Sequence, residues 1–273
     1  MKRALNFSRV FLLVSLAVTL WMLDCAGEMS VSRNGNGTPS QEPPANLKAA
    51  LAGFHSVGIP VQIERSLETL SHLLPTPADR TETEHEQRRD FIFIGAYTLG
   101  YLGLARLLAY RTDGIGGRRF AWIAAALVLF TAVCDVVEDN CILRVLPCLA
   151  GDYRELGAPA PRATVTPAEE TAAHDVMLVK CVASYGKWFA SFVLSGVLAF
   201  VFFRKEPCWQ NVAGYLLLGG GLLGLAGALF KPCLIEWAFV ITAMGSLLGT
   251  LWLLRVPTCA DLWKPPSDPG GGN

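Results

Sequence analysis

Five long apolar runs dominate this chain: Phe91 to Tyr110, Phe120 to Val137, Trp188 to Phe203, Val212 to Phe230 and Trp237 to Leu254, broken only by Arg106 and Asp135. About 17–25 apolar residues suffice for a helix to cross a bilayer. A soluble bundle would show a polar face at the 3.6-residue period, and these runs show none. The expectation is an all-α polytopic transmembrane bundle of five spans, partnered by the lipid bilayer. Charged residues make up 17% of the chain, against about 25% in soluble domains. The 23 basic and 23 acidic side chains cancel, which removes the broad basic footprint of a nucleic-acid binder.

The N-terminus carries a targeting signature. Lys2, Arg3 and Arg9 precede an apolar stretch from Val10 to Leu23, which is shorter than a span, and Cys25-Ala26-Gly27 supplies small residues for cleavage. Residues 1–27 are therefore expected as a signal peptide or signal anchor, with acylation of Cys25 as a third reading. Residues 28–90 form an extracytoplasmic linker and amphipathic helix, and residues 91–273 the bundle, with an external loop over 138–187.

Charge sets the orientation. With the N-terminus inside, the internal segments carry Lys2, Arg3, Arg9, Arg111, Arg118, Arg119, Arg204, Lys205, Arg255 and Lys264 against Asp113, Glu206, Asp261 and Asp268. Every short internal loop is basic, as the positive-inside rule requires. Arg106 lies near an inner helix end, where it can snorkel. The expected location is the bacterial inner membrane, multi-pass, with the C-terminus cytoplasmic.

Outside the membrane, Ile63 to Leu74 shows helical periodicity ended by Pro75 and Pro77, one amphipathic helix or two. Glu64, Glu68 and the lack of lysine argue for packing on the bundle rather than on anionic lipid. Ala78 to Asp90 reads as a charged, solvated helix leading into the first span. Gly157 to Pro167, rich in Ala and Pro, reads as linker.

The candidate site lies where the second span leaves the membrane. Asp135, Glu138 and Asp139 fall at i, i+3 and i+4, on one helix face, and Asn140 follows. Three acids near hydrocarbon require partner cations, a metal, water or protonation. Lys187, Lys180, Arg144 and Lys231 are candidate partners, and Asp90 and Glu236 extend the acidic rim. The functional expectation is an outward-facing acidic site that binds a small solute or relays protons. The structural one pairs Asp135 or Glu138 with Lys187 and leaves Asp139 in water.

Asp90 before Phe91-Ile92-Phe93-Ile94, the ending Asp135-Val136-Val137-Glu138 and the opening Lys187-Trp188 resemble a loose group of uncharacterised bacterial polytopic membrane proteins with an Asp-x-x-Glu-Asn signature. The resemblance spans roughly residues 85–205. Here Asp139 follows Glu138 and the asparagine comes one position later. The resemblance implies that these charges belong to one arrangement, and it implies no activity.

Of the eight cysteines, Cys141, Cys148, Cys181 and Cys233 fall outside and are disulfide candidates in an oxidising compartment. On a continuous helix Cys141 and Cys148 stand about 10 Å apart along the axis, too far to pair with each other. Cys181 and Cys233 would then be their partners, unless the helix breaks before Pro147. Gly220, Gly224 and Ala228, then Gly245 and Gly249, then Ser191, Ser195 and Ala199 mark small-residue packing faces, open to another helix, a protein partner or a second copy.

The four histidines lie outside the spans and form no i+3 or i+4 pair, and no serine elbow or P-loop is present. Enzyme chemistry is thus disfavoured, and no cofactor or metal is assigned. The function expected is structural, accessory or small-solute-binding. The alternatives are a cation- or proton-coupled transporter, which would need a polar path inward from Asp135, and a membrane-embedded enzyme.

Overall fold

A computed structural model describes residues 58–111, 115–152, 167–203 and 209–255, except residue 75, together with positions 10, 13 and 17. The expected signal or anchor segment is otherwise outside the described residues. So are residues 28–57 and 153–166, the cysteines at 25, 208 and 259, and most of the internal charges.

The described elements are α1 (Gly58–Ile63), α2 (Leu67–Leu73), α3 (Pro77–Arg111), α4 (Ile115–Val145), a 3₁₀ turn (Leu146–Asp152), α5 (Pro167–Phe202), α6 (Trp209–Phe230) and α7 (Leu234–Arg255). The amphipathic segment forms two helices. Glu64 accepts from the backbone N–H groups of Arg65 and Ser66 (2.7 and 2.8 Å), and the Ser66 hydroxyl then caps α2 by accepting from Thr69 N–H (3.3 Å). A reciprocal cap starts α3: Thr76 N–H donates to Asp79 Oδ2 (2.9 Å), and Asp79 N–H donates back to Thr76 Oγ1 (3.1 Å).

Among the described residues, four helices are long and apolar enough to cross a membrane: Arg119–Leu149, Thr171–Phe200, Asn211–Phe230 and Leu234–Leu251. This corrects the expected count of five. Phe91 to Tyr110 forms the second half of α3 and is not among the four; the side chains of residues 107–111, at its end, lie outside the described residues. The expected loop over 138–187 is helical through Val145 and again from Pro167. Lys187 therefore stands about 30 Å along α5 from its start, at 1.5 Å per residue.

Consecutive long helices pack side by side, α3 on α4, α4 on α5, α5 on α6 and α6 on α7. The reason lies in the spacing of buried positions. On α4, Ala121, Ala124, Val128, Thr131, Asp135, Glu138, Ile142 and Val145 are buried in alternating steps of three and four, with Asp139 and Cys141 buried beside them. That alternation keeps one narrow seam turned to a neighbouring helix. On α5, Met177, Lys180, Ser184, Lys187, Leu194 and Leu198 make the facing seam, and on α3 Arg80, Thr83, Gln87 and Ile94 lead to Leu104. Away from the seams, Trp122, Phe130, Val133, Val182, Phe189, Phe200, Leu222, Leu229, Phe239 and Met244 are exposed. Apolar side chains this large on all four spans make a lipid-facing belt.

α6 and α7 have 22 residues each, about 33 Å, close to the hydrocarbon thickness of about 30 Å. α4 and α5 have 31 and 36, about 46 and 54 Å, so both overshoot α6 and α7. The overshoot lies at the α6–α7 turn, because Ile235, just past that turn, packs with Phe192 of α5 and Ile59 of α1. There α1, α2 and the 3₁₀ turn cover the projecting helices through Val61, Leu70, Leu74, Ile142, Leu149 and Met177. This is the capped end.

Glycines set the closest helix approaches. A Cβ on Gly220 would meet Thr242 of α7 at 2.5 Å, one on Gly221 would meet the Phe192 carbonyl oxygen at 2.8 Å, and one on Gly224 would overlap the Phe192 ring. Gly245 lies against Leu217, and Gly249 against the Phe202 ring. The α6 glycines thus serve two neighbours, α5 and α7, and the close approaches they permit are between helices of this chain.

Candidate functional site

The seams of α3, α4 and α5 turn polar at one common level. Trp188 stacks on Phe192 and meets Phe239 of α7 edge-on at 6.0 Å. Its neighbour Lys187 is therefore level with the first turns of α7, at the boundary between the apolar belt and the cap. Lys187 Nζ donates to Asp135 Oδ1 and to Glu138 Oε1, each at 2.8 Å, and lies 4.9 Å from the Trp188 ring centre. All three charged residues are buried. The i, i+3 spacing of the two acids lets a single ammonium bridge them.

A third helix completes the arrangement. Tyr97 of α3 donates its hydroxyl to Asp135 Oδ2 at 2.9 Å. Both oxygens of Asp135 are thereby held, one by Lys187 and one by Tyr97. Two turns earlier on α3, Asp90 joins Asp135 and Asp139, and a carboxylate oxygen from each lies within 4.8 Å of the others. Asp90 lies just outside the apolar run. Burial first, and the Asp135 carboxylate next, push its carboxyl up to about 7.

Asp139 is 0% exposed, and neither of its oxygens receives a hydrogen bond. The expectation that Asp139 sits in water is corrected: it lies on the buried side of α4.

The other expected residues are placed as follows. Lys180, 0% exposed, donates to the carbonyl of Val61 in α1 at 2.5 Å. Ser184, one turn on, donates to the carbonyl of Gln62 at 2.8 Å, so α5 holds the cap by its main chain. Asn140 is exposed and donates to the Val136 carbonyl at 2.7 Å. Arg144 and Lys231 are exposed, and Glu236, half-buried, opens α7. Tyr97 and the roof contact of Lys180 were missed from sequence. Tyr97 stands seven residues after Asp90, two turns along the same face, which is the signal that points to it.

The expected disulfides do not form. Among the described residues Cys134, Cys141, Cys148, Cys181 and Cys233 are free. Cys181 Sγ instead accepts from Arg65 Nε at 3.1 Å, and Cys148, past the end of α4, is exposed and donates to the Arg144 carbonyl. Helix packing holds these thiols on separate partners.

Chemically, the centre combines oxygen donors from three acids, one lysine shared by two carboxylates, and an aromatic hydroxyl. It can hold a positively charged ligand or protons. No family model, no curated protein and no solved structure matches this chain.

Proposed function

We propose that this chain is a multi-pass protein of the bacterial inner membrane that binds a small charged solute in the acidic centre under its outer cap. In this reading the C-terminus is cytoplasmic, following the excess of basic residues in the internal segments, and the chain belongs with the bacterial membrane proteins it resembles around Asp135 and Glu138.

One observation carries the reading: Asp139 is wholly buried with no hydrogen-bond donor on either oxygen. Pinning α4 to α5 requires only Asp135, Glu138 and Lys187. Asp90 and Asp139 add two acids that a structural clasp does not need and that repel one another away from water. Such a group is explained by a ligand that completes it. The site is one-sided. Farther from the cap, Leu104, Val128, Leu194, Leu198, Phe202 and Leu217 form a packed apolar cluster, which favours a binding role over a through-path.

The test is the sign of a stability change. In chelator at neutral pH, Asp139→Asn is expected to raise the unfolding midpoint of the purified protein by about 2–6 °C, because it replaces a buried carboxyl that has no hydrogen-bond partner with an amide that can donate to the neighbouring acids. A midpoint lowered by that amount would show Asp139 to be a structural element and overturn the reading.

A further inference from the structure

The solute-binding reading leaves the ligand's chemistry open, and the donor set narrows it. We infer that Asp90, Asp135 and Asp139 form a binding site for a hard divalent cation of calcium size; this rests on the reading above.

Three features support the assignment. The donors are all carboxylate oxygens, from two helices, with no nitrogen or sulfur among them, which selects hard cations over zinc or copper. Their spacing fits: oxygens within 4.8 Å of one another match the span of up to about 5 Å between opposed ligands of an ion with bonds of about 2.3–2.6 Å. Independently of the clustering, Asp139 is completely buried, points its carboxylate at the other two, and has no protein donor. A buried carboxylate in that condition lacks a positive partner.

Charge balance in the ligated state matches a divalent ion. Asp90, Asp135, Glu138 and Asp139 are four acids at one level. Lys187 is the cation hydrogen-bonded to them among the described residues. Lys180, committed to the Val61 carbonyl, is the second nearby positive charge. With all four acids deprotonated, as ligation requires, two negative charges remain, the complement of one divalent ion. Tyr97 and Lys187 hold Asp135 in place and leave each of its oxygens a free lone pair for the ion.

The experiment uses the full chain, purified in detergent with chelator and then dialysed. Calcium, manganese and magnesium chlorides are titrated separately while the unfolding midpoint is followed, and bound calcium is counted by equilibrium dialysis. One calcium per chain and a rise of about 5–10 °C at a hundredfold excess over Kd are expected. Asp139→Asn should weaken calcium binding at least about tenfold. If that variant does not fold, Asp90→Asn carries the same expectation.

No midpoint shift and no retained ion with any of the three metals would overturn the cation assignment. So would a shift that persists unchanged in the variant. A centre neutralised by protons instead would show proton uptake on titration with no metal effect, and this too would overturn the assignment. The solute-binding reading stands or falls separately, on the sign of the metal-free Asp139→Asn change.

Discussion

Lys187→Met is expected to cost the protein most of its folded population, or to lower its unfolding midpoint by about 10 °C or more. The ammonium is shared by Asp135 and Glu138 at 2.8 Å each, and all three groups are buried. Removing the cation strands two carboxylates at the edge of the apolar belt. Losing one partner of a buried pair costs about 3–5 kcal/mol, and here two acids lose the same partner. The neutral isostere is the informative comparison. Lys187→Met combined with Asp135→Asn and Glu138→Gln removes the charges together and should recover most of the midpoint, since a buried clasp contributes little net stability over an uncharged packing. Thermal unfolding of both variants in the same detergent checks the idea. A single variant within about 2 °C of the parent would mean that water reaches these groups, which their burial excludes.

Gly224→Leu should be the second most damaging change. A Cβ at Gly224 would overlap the Phe192 ring, and Phe192 is 2% exposed, with Ile59, Ile235 and Ala238 in the same buried cluster. The ring also stacks on Trp188 at 5.9 Å, so it has no vacant direction in which to move. Overpacking of this kind costs about 1–3 kcal/mol or more. Adding Phe192→Ala to Gly224→Leu should restore part of the loss, because the leucine then fills the space of the ring. Lack of any coupling between the two substitutions in a double-mutant cycle would show that α5 and α6 do not meet there.

Much of this architecture is legible in the sequence, and particular residues show why. Val212 to Phe230 and Trp237 to Leu254 are uninterrupted, and they form α6 and α7 nearly to the residue. Phe91 to Tyr110 is harder to read because glycines and tyrosines mix with its leucines, and these small and polar residues belong to a helix packed against α4. The pairing of Lys187 with Asp135 and Glu138 is foreshadowed by the i, i+3 acids. The depth of Asp139 is not, because a carboxylate next to Asn140 reads as a helix end meeting solvent, whereas α4 runs on to Val145. The three-four alternation from Ala121 to Val145 accounts for the depth of Asp135 and Glu138, which occupy the same seam as Val128 and Ile142, whereas Asp139 falls beside that seam. Contacts of Lys180 and Ser184 with main-chain carbonyls leave no trace in residue type, so the docking of α1 cannot be read before the fold is known.

That docking has a consequence for biosynthesis. The bonds from Lys180 to Val61 and from Ser184 to Gln62 join positions 119 and 122 residues apart in the chain. At a synthesis rate of about 5–20 residues per second, α1 emerges roughly 6–24 s before the helix that holds it. During that interval α3 and α4 can already pair, while the carboxylates of α4 still await Lys187. The clasp and the roof are both completed by α5, so a nascent chain stalled before that helix would carry its acids unneutralised, and the arrival of one segment closes the centre from two sides at once.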